Sequence, residues 1–139
     1  MEVTTCVPLE ARKQLCLGTV DWEDDTIKIA LFAGQSHGLS TSAYLATGES
    51  SGTGYSRLTV GSKTTTVDSS AGVVYLDCAD QTWSSSTITA DSCMLYDDTH
   101  SSDVALGIFD LGGSKSSSSG NFQIIMPTAS ATTGLIRLA

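Results

Sequence analysis

The last third of the chain contains four short apolar segments separated by Ser, Thr, Asp and Gly. Each segment is long enough for one β-strand, and the spacers consist of residues that favour turns. This pattern is typical of a compact antiparallel β-domain, a sandwich or a barrel. The segments cover residues 92–96, 104–110, 121–126 and 135–138.

Further strands are predicted upstream, so that the domain should contain about eight to ten strands. The strand at 26–33 is apolar on both faces, which indicates a central strand. Gly61-Ser62 is expected to form a tight hairpin turn between two of the strands, and Trp83 to be a core or corner residue just before a strand. The Gly/Ser-rich stretches 48–54 and 112–120 are expected to be exposed, flexible loops. The other upstream strands are predicted at 57–60, 64–67, 73–78 and 87–89.

Alternation within these segments also predicts which side chains form the core. Most of the following residues should be buried: Ile27, Ile29, Leu31, Val74, Leu76, Leu95, Leu106, Ile108, Phe122 and Ile124.

The first twenty residues differ from the rest. Pro8 suits the first turn of a helix, and Gly18 is a natural C-cap. Leu9, Leu15, Cys16 and Leu17 could share one face, and a short helix is predicted at about 8–17. We therefore divide the chain into an N-terminal arm with a short helix, residues 1–20, and a β-domain, residues 21–139.

The charge of the chain bears on its partners. The formal net charge is −8, with only seven Lys and Arg, which argues against a nucleic-acid partner because phosphates are neutralised by basic side chains. No apolar run approaches about 18 residues, so neither a transmembrane segment nor a membrane partner is expected.

The cysteines are expected to be reduced. No secretory leader is visible, which predicts synthesis in a cytoplasm, where disulfides are rare. Cys6, Cys16, Cys78 and Cys93 should then be free thiols, and Cys78 and Cys93 lie within strand patterns that would bury them.

No catalytic or cofactor-binding constellation stands out. His37 and His100 are expected to be exposed loop residues, and a triad of His100, Asp103 and a serine lacks the nucleophile-elbow context. We predict that the chain is not an enzyme and binds no cofactor. The glycine-rich stretches also lack the ending of a phosphate-binding loop.

Two other kinds of site remain open alternatives, and neither is expected. Two acidic groups could coordinate calcium, although turn chemistry explains them more simply and no metal is predicted. The aromatic residues could form a sugar-stacking platform, although they are few. The acidic groups are Asp21, Glu23, Asp24 and Asp25, and Asp97, Asp98 and Asp103. The aromatic residues are Trp22, Tyr44, Tyr55, Tyr75, Trp83 and Tyr96.

An ordered series of short motifs resembles a family of small virion proteins of tailed bacteriophages, some of them jelly-roll cement (decoration) proteins. The order and spacing of the motifs, over about residues 9–138, carry the resemblance. The segment 34–50 and the pair Cys78 and Cys93 depart from the pattern. The motifs are residues 25–31, 51–55, 80–83 with 86–90, 106–110, and 120–122 with 134–138.

The resemblance implies an all-β fold, a single antiparallel β-sandwich of jelly-roll type with a short N-terminal helix and arm. It also implies a virion protein that decorates the outside of the capsid, with the major capsid protein and a second copy of itself as partners, a homodimer being favoured over a trimer. The alternative is a receptor- or glycan-binding module of a phage tail or fibre.

The contact residues are predicted from the arm itself. Its apolar side chains have little local surface to pack against in the sequence pattern, so they are expected to bind a partner. These residues are Val3, Val7, Leu9 and Leu15.

Overall fold

The computed structural model describes residues 3–139. Within that range the chain forms one helix, α1 (Leu9–Leu17), and nine strands, so the predicted all-β class with a short N-terminal helix is confirmed. The strands are β1 (Ile27–Phe32), β2 (Leu58–Thr59), β3 (Thr64–Asp68), β4 (Val73–Asp77), β5 (Gln81–Ser86), β6 (Thr89–Asp97), β7 (Ala105–Ser116), β8 (Gly120–Ile124) and β9 (Ile136–Leu138).

The strands pair antiparallel in three sheets, with the orders β2-β1-β6-β7, β3-β4-β9 and β5-β8. β1 pairs with β6 along its whole length, from Ile27 opposite Asp97 to Phe32 opposite Ser92. The β6–β7 ladder contains two register shifts, so β7 bends as it continues towards Ser116. This four-stranded sheet is the framework on which the rest of the chain packs.

The four-stranded sheet is buried on both faces. On one face, Ile29 and Leu95 belong to a main core that also contains side chains of the other two sheets, such as Leu76 and Trp83. The prediction of β1 as a central strand is therefore confirmed. The opposite face carries a second buried cluster, formed by Ala30, Phe32, Met94, Tyr96, Ala105 and Ile108.

The predicted core agrees with the observed one. Of the predicted core residues, only Val74 and Ile124 are half-buried, and all the others are buried. Trp22 and Trp83 are buried as well, and each indole N–H donates to a backbone carbonyl, that of Thr64 at 3.2 Å and that of Ser56 at 2.6 Å. Both indoles are thus core residues with satisfied polar ends.

The predicted helix and its C-cap are confirmed. α1 ends at Gly18, which adopts the left-handed conformation at φ 69° and donates its N–H to the carbonyl of Leu15 at 3.2 Å. The inward side of the helix differs from the prediction. Ala11 is buried and Leu15 half-buried, whereas Leu9 and Leu17 are exposed.

The predicted hairpin at Gly61-Ser62 is wrong. β2 pairs with β1, whereas β3 pairs with β4, so the two strands lie in different sheets. Backbone hydrogen bonds explain the separation. Val60 continues the pairing with β1 by donating to Ile27 at 2.8 Å, and Gly61 then accepts from Ala79 at 3.0 Å.

The stretch 112–120 is not a loose loop as predicted. β7 runs through it to Ser116, where Thr89 and Ala90 of β6 oppose Ser116 and Lys115. Gly112 and Gly113 adopt positive φ angles of 71° and 109° at the shift in register, where a bulge needs residues without a Cβ. Most of these side chains are exposed, as expected.

The stretch 48–54 is held more firmly than predicted. Ser50 is buried, its N–H donates to Leu31 at 2.8 Å, and its hydroxyl donates to the carbonyl of Thr89 at 2.7 Å. At Gly52, φ is 127° and an added Cβ would lie 2.1 Å from the carbonyl oxygen of Thr87, so only glycine fits. The exposed part is confined to residues 51–54.

Candidate functional site

The N-terminal arm lies along the outer edge of β7. Cys6 and Ile108 exchange two backbone hydrogen bonds of 2.9 Å, which is the pattern of an antiparallel pair. The N–H of Asp110 donates to Thr5 Oγ1 at 2.9 Å, and the N–H of Thr4 donates to the carbonyl of His37 at 3.0 Å. The arm therefore covers part of an edge that would otherwise be free to pair.

Three of the four predicted contact residues pack against the chain itself. Val3 packs on the second buried cluster of the four-stranded sheet, and Val7 and Leu15 pack on the main core. The premise that the arm has little to pack against locally is therefore wrong. The sequence could not show this, because the covered face belongs to strands that lie far along the chain. Only Leu9, 56% exposed, offers a free apolar side chain.

Leu9 belongs to an apolar and basic surface on α1. Leu17, 63% exposed, lies two helical turns further on, and the N–H of Leu9 donates to the carbonyl of the exposed Leu39 at 3.0 Å. Two bases, Arg12 and Lys13, are exposed on the same helix. We call this surface the α1 face and define it by Leu9, Arg12, Lys13, Leu17 and Leu39.

The two bases of the α1 face are held in place by local contacts. Arg12 Nε donates to the carbonyl of Val7 at 3.0 Å. Lys13 Nζ lies 3.2 Å from Glu10 Oε1, and Gln14 also donates to that oxygen at 2.6 Å. These hydrogen bonds, from Gln14 and then Lys13, lower the pKa of Glu10. The α1 face therefore presents basic side chains on a chain whose net charge is −8.

A second polar cluster lies where the segment 43–57 crosses the four-stranded sheet. The carboxylate of Glu49 accepts hydrogen bonds from the hydroxyls of Tyr44 and Tyr55, the latter at 2.6 Å, and lies 3.5 Å from Arg57 Nε. Arg57 Nη1 donates to Tyr96 Oη at 3.1 Å, and its guanidinium lies 5.0 Å from the centre of the Tyr44 ring. Burial, followed by the hydrogen bond to Glu49, raises the pKa of Tyr44 and of Tyr55 above the usual value.

This cluster uses the aromatic rings for internal contacts. Tyr44 stacks on Tyr96 with centroids 4.5 Å apart, and Tyr55 stacks on Trp83 at 6.3 Å. The candidate sugar-stacking residues are therefore not gathered on one exposed surface. Sequence reasoning missed Glu49 and Arg57, since nothing in a Gly/Ser-rich stretch indicates that one acid will bind two tyrosines.

Two concave surfaces lie elsewhere on the molecule. An open polar groove of about 510 Å³ runs past Glu49, Ser51, Tyr55 and Arg57. A narrower apolar crevice of about 170 Å³ lies between the strand β7 and residues 124–127 and reaches Cys93 and Leu95 of β6. Both are smaller or more open than the enclosed cavities that usually bind small molecules.

The two histidines are half-buried, not exposed as predicted. His37 packs edge-on against Phe32 with ring centroids 4.7 Å apart, and burial lowers the pKa of its imidazole. His100 Nδ1 accepts the N–H of Ser102 at 3.2 Å, so this nitrogen is engaged by a turn and not by a serine hydroxyl. The arrangement expected of a catalytic triad is not formed at His100.

The two acidic groups named as calcium candidates meet in space, and their contact is described below. Among the described residues, no three His, Cys, Asp or Glu side chains converge in a way that could hold a metal ion. The four cysteines are free thiols, with Cys78 and Cys93 buried, Cys6 half-buried and Cys16 exposed. Within residues 3–139, no helix is long and apolar enough to cross a membrane.

Comparison with known proteins adds no relative. No family model matches the sequence, and neither a curated protein nor a solved structure matches the chain.

Proposed function

We propose that this chain is a capsid decoration protein of a tailed bacteriophage, with a sandwich of jelly-roll type. It binds the outer surface of the shell formed by the major capsid protein and stabilises the head. In this arrangement the four-stranded sheet is one layer, and the sheets β3-β4-β9 and β5-β8 together form the second. The ordered sequence motifs described above support the family, and the contacts of the main core between all three sheets support the two-layer arrangement.

The α1 face is the observation that carries the proposed attachment. Leu9 and Leu17 project from a helix whose position is fixed by packing of Ala11 in the main core, so docking them costs little conformational entropy. Arg12 and Lys13 favour an acidic partner surface. Each copy needs to bury only a modest area, since a shell binds many copies and neighbouring contacts add avidity.

Co-sedimentation with expanded, undecorated capsids of the phage tests the proposal. Wild-type protein should bind at a fixed stoichiometry. Leu17→Asp should weaken binding about tenfold or more, because it places a charge in an apolar contact. Val67→Asp is the matched control, because Val67 is equally exposed but lies on β3, away from the α1 face. Both variants should melt at the wild-type temperature.

The outcomes separate attachment from function. If Leu17→Asp sediments like wild type, decoration stands but the α1 face is not the contact. If wild-type protein does not bind capsids and instead binds host cells or glycans, the chain is a receptor-binding module and the decoration proposal is wrong. Sedimentation equilibrium of the free protein tests the expected homodimer.

A further inference from the structure

Two acidic segments that lie far apart in sequence meet at one end of the β1–β6 ladder. Ile27 opposes Asp97 in the antiparallel register, so Asp25 is the diagonal neighbour of Asp97 on the same face. The backbones are joined at the same place, because the N–H of Asp98 donates to the carbonyl of Thr26 at 2.9 Å.

Asp97 is fully buried, at 0% exposure, and only one of its oxygens is satisfied by donors. Oδ1 accepts the N–H groups of Thr99 at 2.9 Å and His100 at 3.1 Å. Oδ2 is buried and receives no hydrogen bond from any donor among the described residues. The group within hydrogen-bonding reach of the Asp97 carboxyl is a second carboxyl, that of Asp25.

The charged groups around this contact do not neutralise it. Asp25 Oδ2 accepts the N–H of Asp21 at 2.7 Å. Lys63 Nζ binds the backbone carbonyl of Asp25 and not its carboxylate.

The nearest groups on the β6 side are also engaged elsewhere. Lys28 of β1 pairs with Asp98 at 2.8 Å. His100 gives Asp97 its backbone N–H, while its ring Nδ1 accepts from Ser102. The two carboxyls of Asp25 and Asp97 therefore face each other with no cation between them.

Two carboxylates in contact cannot both stay ionised at low cost, and a buried acceptor without a donor destabilises the fold. A single proton removes both problems, because it converts the repulsion into a strong O–H···O⁻ hydrogen bond. We propose that Asp25 and Asp97 share one proton, and that this shared proton clamps the segment 21–26 to the segment 97–103. The clamp is a pH-sensitive device, independent of the proposed role on a capsid.

A proton explains the pair better than a metal ion. Calcium takes about six to eight oxygen ligands, several of them carboxylates. Here only two carboxyls face each other, and the described residues contain no third acid or other metal-binding side chain that converges with them. The ammonium group of Lys63 lies beside Asp25, which further disfavours a bound cation.

The direction of the pH effect follows from the burial of Asp97. Desolvation, with a further contribution from Asp25, raises the pKa of Asp97 above its usual value. A carboxyl with a raised pKa in the folded state stabilises the fold fully below the unfolded pKa of about 4, and this contribution is lost as the pH rises through the folded pKa. Raising the pH therefore loosens the clamp.

Carboxyl ¹³C NMR of the full chain tests the proposal directly. Asp97 should titrate with a raised pKa, and its signal and that of Asp25 should move together, as expected of a coupled pair. Titration of Asp97 near its ordinary value of about 4, independent of Asp25, would overturn the proposal.

Thermal melts at several pH values give a second test. From about pH 5 to about pH 8.5 the Tm of wild type should fall by about 4 °C or more. Asp97→Asn should remove this dependence, because an amide donates one N–H to Asp25 at every pH. Asp24→Asn makes the same change of charge at an exposed position of the same segment and should follow wild type.

Further variants exclude the trivial outcomes. If Asp97→Asn does not fold, Asp25→Asn replaces it and should flatten the pH dependence in the same way. Addition of millimolar calcium should leave the wild-type Tm unchanged. A calcium-induced rise in Tm that Asp97→Asn abolishes would show a cation between the two carboxyls and would overturn the shared proton.

Discussion

At the scale of single residues, burial follows the alternation of each strand, and Leu106 gives a direct test. Leu106 is 2% exposed in β7 and belongs to the main core. Leu106→Ala should lower the free energy of unfolding by about 2–5 kcal/mol, because it removes apolar contacts and leaves a cavity. Val67→Ala, at a side chain 69% exposed, should change it by less than about 0.5 kcal/mol. Equal denaturation midpoints for Leu106→Ala and wild type would exclude Leu106 from the core.

The cysteines differ in reactivity at the same scale. Burial raises the pKa of Cys78 and of Cys93 to about 12, so neither thiol ionises near neutral pH. Since the thiolate is the reactive form, iodoacetamide at about pH 8 should label the exposed Cys16 in the native protein, and Cys78 and Cys93 only after denaturation. Peptide mass spectrometry without reductant measures both the labelling and the redox state. A Cys78–Cys93 disulfide in the native protein would contradict the prediction of reduced thiols.

At the scale of elements, apolar alternation was sufficient to predict β1, β4, β8 and the helix, but not β5. The buried positions of β5 include Gln81 and Ser86, which read as loop residues. Ser86 is buried because its hydroxyl lies within hydrogen-bonding distance of the carbonyls of Trp83 and Gly120, at 3.0 and 3.1 Å. These partners lie in another part of the chain, so the sequence pattern alone cannot reveal them.

The arm shows the same limit for the candidate site. Apolar side chains at Val3 and Val7 were correctly recognised as needing a partner surface, but that surface is the chain's own sheet and core. Only Leu9 of the four residues remains exposed for a separate partner. Pairing over long sequence distances therefore decided the outcome, and local periodicity could not.

The pairing of the arm with β7 can be tested by a matched pair of variants. Cys6→Pro removes the N–H that Cys6 donates to Ile108 and should lower the free energy of unfolding by about 1–3 kcal/mol. Cys6→Ala keeps this N–H and serves as the control. Hydrogen exchange of the Ile108 amide, which donates to Cys6, should accelerate in Cys6→Pro more than in Cys6→Ala. Equal exchange in the two variants would show that the arm does not pair with β7 in solution.

At the scale of the whole molecule, the charge distribution is unbalanced. Fifteen acidic residues face seven basic ones, which gives the net charge of −8. Ion pairs offset little of this excess, since the ones described involve Lys13, Lys28 and Arg57, and most of their groups are partly exposed. Long-range repulsion between acids is therefore expected to outweigh these local attractions.

The two effects respond to salt in opposite directions, which makes their balance measurable. Raising the salt from about 0.01 M to about 0.15 M shortens the Debye length from about 30 Å to about 8 Å, which screens repulsion across the whole domain more than contacts of a few ångströms. The Tm at pH 7 should therefore rise with salt. Near the sequence pI of about 4.3, where the net charge vanishes, the rise should disappear. A Tm at pH 7 that falls with salt would show that the ion pairs, and not the repulsion, dominate the electrostatic free energy of this fold.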